Sequence, residues 1–202
     1  MNLRKFIENY SRLNDSEWHS IEQLFENKEF NKNETILEEG KVCRYFYFLE
    51  SGLIRFYNNI DGNDITKTFT IAPYCFTSRI SFRKQIASNE GIQALEKTVV
   101  WQISFKNYKK LEELNSWNIF IRRLLNEIQE FSESFYLEIR TMTAEDRYKK
   151  ILDEYPNELV QKIPLKHLSS FLGVAPQSLS RIRKKIQQNA KINIGEFKSS
   201  DN

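Results

Sequence analysis

The spacing of apolar residues changes twice along this 202-residue chain. Near the N-terminus, Trp18, Ile21, Leu24 and Phe25 recur at helical intervals behind three candidate N-caps, Asn14, Asp15 and Ser16. This predicts a helix over Asp15–Phe25. Toward Lys106 the period falls to two. Glu34–Leu37, Tyr45–Leu49, Leu53–Tyr57, Ile65–Ile71 and Thr98–Ser104 are short runs rich in Phe, Tyr, Ile, Val and Thr. Glu39-Gly40, Ser51-Gly52 and Asp61-Gly62-Asn63 punctuate them as turns. No helix-sized segment separates these runs, so they predict an antiparallel roll or barrel rather than a parallel sheet.

Pro and Gly are then absent from Phe105 through Tyr155, and a long helix is expected. Trp117, Ile121, Leu124, Ile128, Phe131, Phe135, Glu138 and Met142 follow one another at alternating steps of four and three, and all but Glu138 are apolar. A sustained period of 3.5 marks a helix packed along another helix. The stripe could instead cover the β domain of its own chain. Three heptads exceed what a small roll can cover, which favours a homodimer seam through Trp117, Ile121, Leu124, Ile128, Phe131 and Phe135. Glu138 interrupts it, so the lower end splays or faces solvent.

A third region starts at Thr143. Thr143-Ala-Glu-Asp146 approximates an N-capping box and predicts a helix over Ala144–Glu154, with Tyr148, Ile151 and Leu152 inward. Tyr155-Pro156 stops it. Leu165, Leu168, Phe171 and Leu172 then share one helical face; Gly173 suits the left-handed end of that helix, and Val174 plugs the corner. Pro176 presets a new helix start, and Leu179, Ile182 and Ile186 give this helix its buried stripe. Two helices joined by a tight Gly turn form a helix-turn-helix. An ordinary corner between helices would use the same apolar residues. It would not explain Gln177, Ser178, Arg181, Lys184 and Lys185 displayed on the second helix with no acid among them.

Charge sharpens this picture. The net charge is +3 overall, but residues 1–142 carry 19 Lys+Arg against 20 Asp+Glu, and residues 143–202 carry 11 against 7. Leu159 to Gly195 contains no acid at all. Such a one-sign field is either a solvated basic face or a surface for a polyanion, where counterion release supplies nonspecific affinity. Hydrophobic residues make up 40% of the chain, enough for one or two cores and too many for wholesale disorder. No secretory signal and no run of about eighteen apolar residues is present, so a soluble, cytoplasmic protein without a membrane partner is expected. Cys43 and Cys75 are too few for a disulfide framework or a four-cysteine cluster, and His19 and His167 stand alone, so no metal is expected. His167 reads as solvent-facing or close to a phosphate. Cys75 reads as a reactive thiol or, more commonly for a free cysteine, a small buried hydrophobe. Without a Gly-rich phosphate loop, a His-Glu-x-x-His pair or a nucleophile–His pair, an enzyme is not expected.

Over nearly its whole length the chain resembles the Crp–Fnr superfamily of transcription regulators. The first half is similar to the cyclic-nucleotide-binding β roll in Glu39-Gly40 and in Tyr45-Phe-Tyr-Phe-Leu-Glu-Ser-Gly52-Leu-Ile-Arg-Phe-Tyr57; Leu168 to Ile186 resembles the winged-helix recognition motif. The resemblance implies an α+β protein: a cyclic-nucleotide-binding-like antiparallel β roll at 1–115, a central dimerisation helix at 116–142 and a winged helix-turn-helix at 143–202. It implies a homodimer on a palindromic operator in double-stranded DNA, with RNA polymerase as a further partner. Gln177 and Arg181 fall where the family contacts base edges, whereas Pro176 replaces an arginine that reads guanine in many members. The planar fork of Arg181 suits guanine, and the amide of Gln177 suits adenine. Ser178, Ser180, Arg183, Lys184 and Lys185 are expected to hold phosphates.

The sensor half departs from the family. Members that bind cyclic nucleotides carry Gly-Glu before a short helix and Arg-Ser or Arg-Thr after it, a carboxylate for the ribose and a guanidinium for the phosphate. Pro73 to Ser88 contains neither pair. Arg79 and Arg83 are the cations left for an effector pocket, and tight cAMP binding is not expected. The expected protein is a dimeric DNA-binding regulator with a degenerate pocket. Its alternatives are a regulator responding to a cAMP-like ligand through a divergent pocket, and a protein-interaction module that keeps the fold without DNA.

Overall fold

The computed structural model describes residues 2–199, and side chains as far as residue 188. In chain order the elements are α1 (Leu3–Glu8), α2 (Asp15–Glu22), β1 (Glu26–Phe30), β2 (Thr35–Leu37), β3 (Tyr45–Ser51), β4 (Leu53–Ile60), β5 (Asn63–Ile71), β6 (Tyr74–Phe76), α3 (Arg79–Lys84), β7 (Gly91–Ala94), β8 (Thr98–Ser104), α4 (Phe105–Leu111), α5 (Asn115–Thr141), α6 (Ala144–Glu154), α7 (Asn157–Lys162), α8 (Leu165–Phe171) and α9 (Pro176–Ser199). They fall into two units, Met1–Glu138 and Ile139–Asn202.

The first unit is a β roll. Two four-stranded antiparallel sheets, in the orders β1-β8-β3-β6 and β2-β7-β4-β5, supply its walls. β3 explains how it is held together. An ordinary antiparallel strand alternates a wet and a dry side, but Phe46, Tyr47, Phe48 and Leu49 are all buried. On one face Phe46 meets Trp117 of α5, with ring centroids 6.1 Å apart, and Phe48 meets Phe6 of α1 at 5.5 Å. On the other, Tyr47 stacks on its cross-strand neighbour Phe76 at 4.7 Å, and Phe76 in turn meets Phe56 of the second sheet edge-on. Gly52 makes the turn from β3 to β4 at φ +108°, where a Cβ would come within 2.9 Å of the Thr98 Cα, so only glycine fits.

The helix α2 has a complete capping box: the Asn14 side chain accepts from the Glu17 N–H, and the Glu17 carboxylate accepts from the Asn14 N–H. It ends at Glu22 rather than Phe25, because the chain turns there to enter β1. β1 itself, with the sequence Glu-Asn-Lys-Glu-Phe and only Phe30 buried, carries no alternation that a pattern could detect.

The first turns of α5 overturn part of the expected dimer seam. Trp117 and Leu124 are buried in the core of their own unit, and Ile121 and Ile128 pack partly against it. Trp117 sits among Phe25, Phe46, Tyr108 and Phe120, at centroid distances of 5.2–6.2 Å. Phe120, outside the 3.5-residue stripe, is fully buried against Phe6 and Tyr10. The unexpected helix α1 supplies Phe6 against Phe120, so α5 buries a residue beyond the stripe as well. Beyond Ile128 the stripe emerges: Phe131 is 54% exposed and stacks on Phe135 at 6.0 Å, and Tyr136, Leu137 and Ile139 are exposed too.

The second unit is helical. Thr143 caps α6, its hydroxyl accepting from the Asp146 N–H. Tyr148, Val160, Ile163, Leu168, Leu172 and Leu179 are buried. The wing implied by the resemblance does not appear: among the described residues of this unit there is no strand, and α9 continues as helix to Ser199. Lys185 to Ile194 contains neither Pro nor Gly, so nothing in that stretch breaks the helix into a hairpin.

Candidate nucleic-acid interface and ligand cassette

The end of α8 is a Schellman turn. Gly173 takes φ +69°, its N–H donates to the Ser170 carbonyl at 3.0 Å, and the Val174 N–H donates to the Ser169 carbonyl at 3.0 Å. The chain reverses within four residues, and Pro176 opens α9 with its fixed φ and absent N–H costing no hydrogen bond. Leu179 is fully buried, and the half-buried Ile182, Arg183 and Ile186 lie three, four and seven residues beyond it, on one helical face. The opposite face presents Gln177, Ser180, Arg181 and Lys184, all exposed. Positions i, i+3, i+4 and i+7 stand above one another, so these four form one continuous polar and cationic stripe. No acid occurs anywhere from Leu159 to Gly195 to neutralise it.

The other expected phosphate contacts are placed differently. Ser178 is half-buried. Arg183 lies on the inner face, its guanidinium 5.6 Å from the centre of the Tyr148 ring, with a buried Nε that has no hydrogen-bond partner among the described residues. Lys185 is exposed and pairs with Glu145 of α6 at 2.7 Å. Hydrogen bonds from Lys185 and Lys149 hold the Glu145 carboxyl below the usual carboxylate range. His167 corrects the expectation of a solvent-facing ring. It is only 4% exposed, because the short helix α8 is enclosed over His167, Leu168 and Ser169 in succession.

In the roll, the segment corresponding to the ligand cassette runs from β6 through α3 to β7. Ser78, the residue before α3, and Ser88, which follows it, are both buried, and their hydroxyls hydrogen-bond to one another at 2.9 Å. Ser88 Oγ also donates to the Glu90 carbonyl at 2.7 Å, while the Ser88 carbonyl accepts from the Gly40 N–H at 2.7 Å. Ser81 faces inward and accepts from the Cys43 N–H at 2.8 Å; Phe82 packs edge-on against Phe105 and Tyr108. Arg79 and Arg83 are exposed, on the side of α3 away from Ser81 and Phe82. A cyclic nucleotide is therefore a poor fit. No carboxylate stands before α3, no guanidinium follows it, and the hydroxyls found at those places satisfy each other. Cys75 is buried, and burial pushes its thiol well above the usual range, so it is a packed hydrophobe rather than a reactive thiolate.

Sequence reasoning did not identify Ser78, Ser88 or Arg147. The inward turn of Arg183 was legible in its four-residue step from Leu179, a period obscured by reading the Arg183-Lys184-Lys185 run only as charge.

Among the described residues, no helix is long and apolar enough to cross a membrane. Comparison with known proteins agrees with the architecture. The cyclic nucleotide-binding domain family matches residues 27–114. No curated protein matches the chain. FixK2 from Bradyrhizobium japonicum has a similar structure, with a TM-score of 0.69 and 18% identity over 82% of this chain and 86% of that one. A transcriptional regulator assigned to the crp/fnr family from Eubacterium rectale gives a TM-score of 0.65 and 19% identity, covering 88% and 85%. A double mutant of CooA from Carboxydothermus hydrogenoformans gives 0.65 and 15%, covering 82% and 78%. Residues 27–114 thus match the cyclic nucleotide-binding domain family, and the fold of the chain is similar to that of these solved structures.

Proposed function

We propose that the chain is a sequence-specific DNA-binding transcription regulator that works as a homodimer and does not use cAMP. The observation that carries this reading is the exposed stripe of Gln177, Ser180, Arg181 and Lys184 on α9, directly after the Gly173 turn. In a major groove, Arg181 offers two parallel donors to guanine O6 and N7, and Gln177 offers a donor and an acceptor to adenine. Ser180 and Lys184 bind phosphates and fix the register. Arg183 supports this helix from within, against Tyr148. Lys185 reaches a phosphate only by giving up Glu145.

The exposed apolar end of α5, with Phe131 and Phe135 at its centre, supplies the surface for a second copy. A two-fold dimer then presents two α9 helices to a palindromic site. The β roll, lacking the charge pair for a cyclic phosphate, serves as a module for another ligand or for a protein partner such as RNA polymerase. Selection of duplexes from a random library by the full chain, followed by gel shift, tests this reading. Enrichment of a palindrome, with binding that weakens steeply as salt rises, is expected. A flat salt dependence without enrichment would instead favour a protein-interaction module.

A further inference from the structure

A polar junction in the second unit lies away from the exposed stripe of α9. Arg147, in the first turn of α6, turns its guanidinium back over the short link from α5. Nη1 donates to the Met142 carbonyl at 2.8 Å and lies 3.5 Å from the Ile139 carbonyl; Nη2 donates to the Leu172 carbonyl at 2.7 Å. Ile139 belongs to the last turn of α5, Met142 follows the end of that helix, and Leu172 is the C-cap of α8, immediately before Gly173. These carbonyls stand where helices run out of internal donors and partial negative charge collects. A guanidinium meets that need with two donors fixed in one plane and a positive charge. The foot of α5 and the turn that launches α9 are thus held by one rigid group, with no rotatable bond between its two contacts.

We propose that Arg147 is a positioning residue for DNA recognition. It sets the angle at which the turn before α9 is held to the last turn of α5, and through that angle the separation of the two recognition helices in a dimer. This rests on the DNA-binding reading above. A residue that touches no nucleotide then governs which half-site spacing is bound, since moving a half-site by one base pair displaces it by about 3.4 Å along the helix axis.

The test uses a palindrome selected by the full-length chain, remade with one or two base pairs inserted or removed at its centre, and a duplex carrying a single half-site. The unmodified protein is expected to lose about tenfold in affinity one base pair from its preferred spacing. Arg147→Met, which removes both hydrogen bonds, should lose less than about threefold across the series while binding the single half-site within about twofold of the unmodified protein. Arg147→Lys, which reaches only one carbonyl, should fall between them, and it decides the matter if Arg147→Met does not fold. A full tenfold spacing dependence in the folded variant overturns the proposal. So does an equal loss on the single half-site, which would reduce Arg147 to holding the helices together. If the unmodified protein enriches no duplex, the DNA-binding reading itself fails and takes this proposal with it.

Discussion

Ser78 and Ser88 close the two ends of α3 onto each other, hydroxyl to hydroxyl at 2.9 Å. Ser78 occupies the N-cap position yet makes no capping bond to the helix, and Ser88 is bonded again to the backbone of Glu90. An entering anion would have to break a buried, internally satisfied network, and the cassette's own arginines, Arg79 and Arg83, are exposed rather than turned toward it. Isothermal titration of the full chain with cAMP should give no saturable heat up to about 1 mM, an affinity weaker than about −4 kcal/mol. Micromolar binding would refute this account of the cassette.

The stripe on α9 separates two roles that gel shifts can distinguish. Arg181→Ala should cost about 1–3 kcal/mol on the selected site and relax preference at one base step, with little change on random duplex. Lys184→Ala should weaken binding to all duplexes similarly and lower the slope of log K against log salt by about one. Indistinguishable behaviour of the two variants on specific and random DNA would remove the assignment.

The division of α5 predicts different consequences at positions only seven residues apart. Leu124 is 2% exposed within the core, so Leu124→Ala should destabilise the protomer by about 2–5 kcal/mol in urea titrations. Phe131 is 54% exposed, so Phe131→Asp should leave the fold's urea midpoint close to that of the unmodified chain but shift sedimentation from dimer to monomer. A dimer that survives Phe131→Asp would mean that the copies meet elsewhere.

What could be read from the sequence divides along physical lines. Strands β3, β4 and β8 lie deep in the roll, and their β-branched and aromatic runs report that burial directly, whereas the edge strand β5 is largely exposed or half-buried and is marked by its β-branched run and the turns that bound it. β1 and the short β6 and β7 escape detection. The first is polar along the wet face of its sheet edge, and the others are too short to establish a period. The Gly173 turn was legible because a Schellman ending needs a left-handed residue, and little else adopts that conformation cheaply. By contrast, a 3.5-residue stripe states only that a helix face will be covered. Whether Trp117 and Phe120 meet their own roll or a second copy depends on Phe25, Phe46 and Phe6, which folding brings to them from distant parts of the chain. Ser78 and Ser88 are likewise common residues with no distinctive spacing, and their meaning appears only when folding brings them together.

The β4–β5 hairpin contains a buried cation whose energetics can be measured. The Arg55 side chain is 3% exposed and donates to both carboxylate oxygens of Asp64, at 2.5 and 2.6 Å, to Thr66 Oγ1 at 3.1 Å and to Gln93 Oε1 at 2.9 Å. Its guanidinium also lies 4.4 Å over the Tyr57 ring, which fills the space beside Gly91 where a Cβ would come within 2.3 Å of Tyr57 Cζ. Four of the five guanidinium N–H donors are therefore used in a confined site, and removing one partner strands the charge. Asp64→Ala should cost about 3 kcal/mol in urea unfolding, at the low end for a buried pair because the Asp64 carboxylate is 44% exposed and water can partly replace it. Asp64→Asn keeps one acceptor and should cost less. Arg55→Met, which removes the buried charge and retains much of the volume, should be milder than Asp64→Ala, since the ion it leaves behind, Asp64, is 44% exposed and can be hydrated. The reverse order, with Arg55→Met the more damaging, would show that the guanidinium's contacts outweigh its desolvation and that the ion pair stabilises the roll outright.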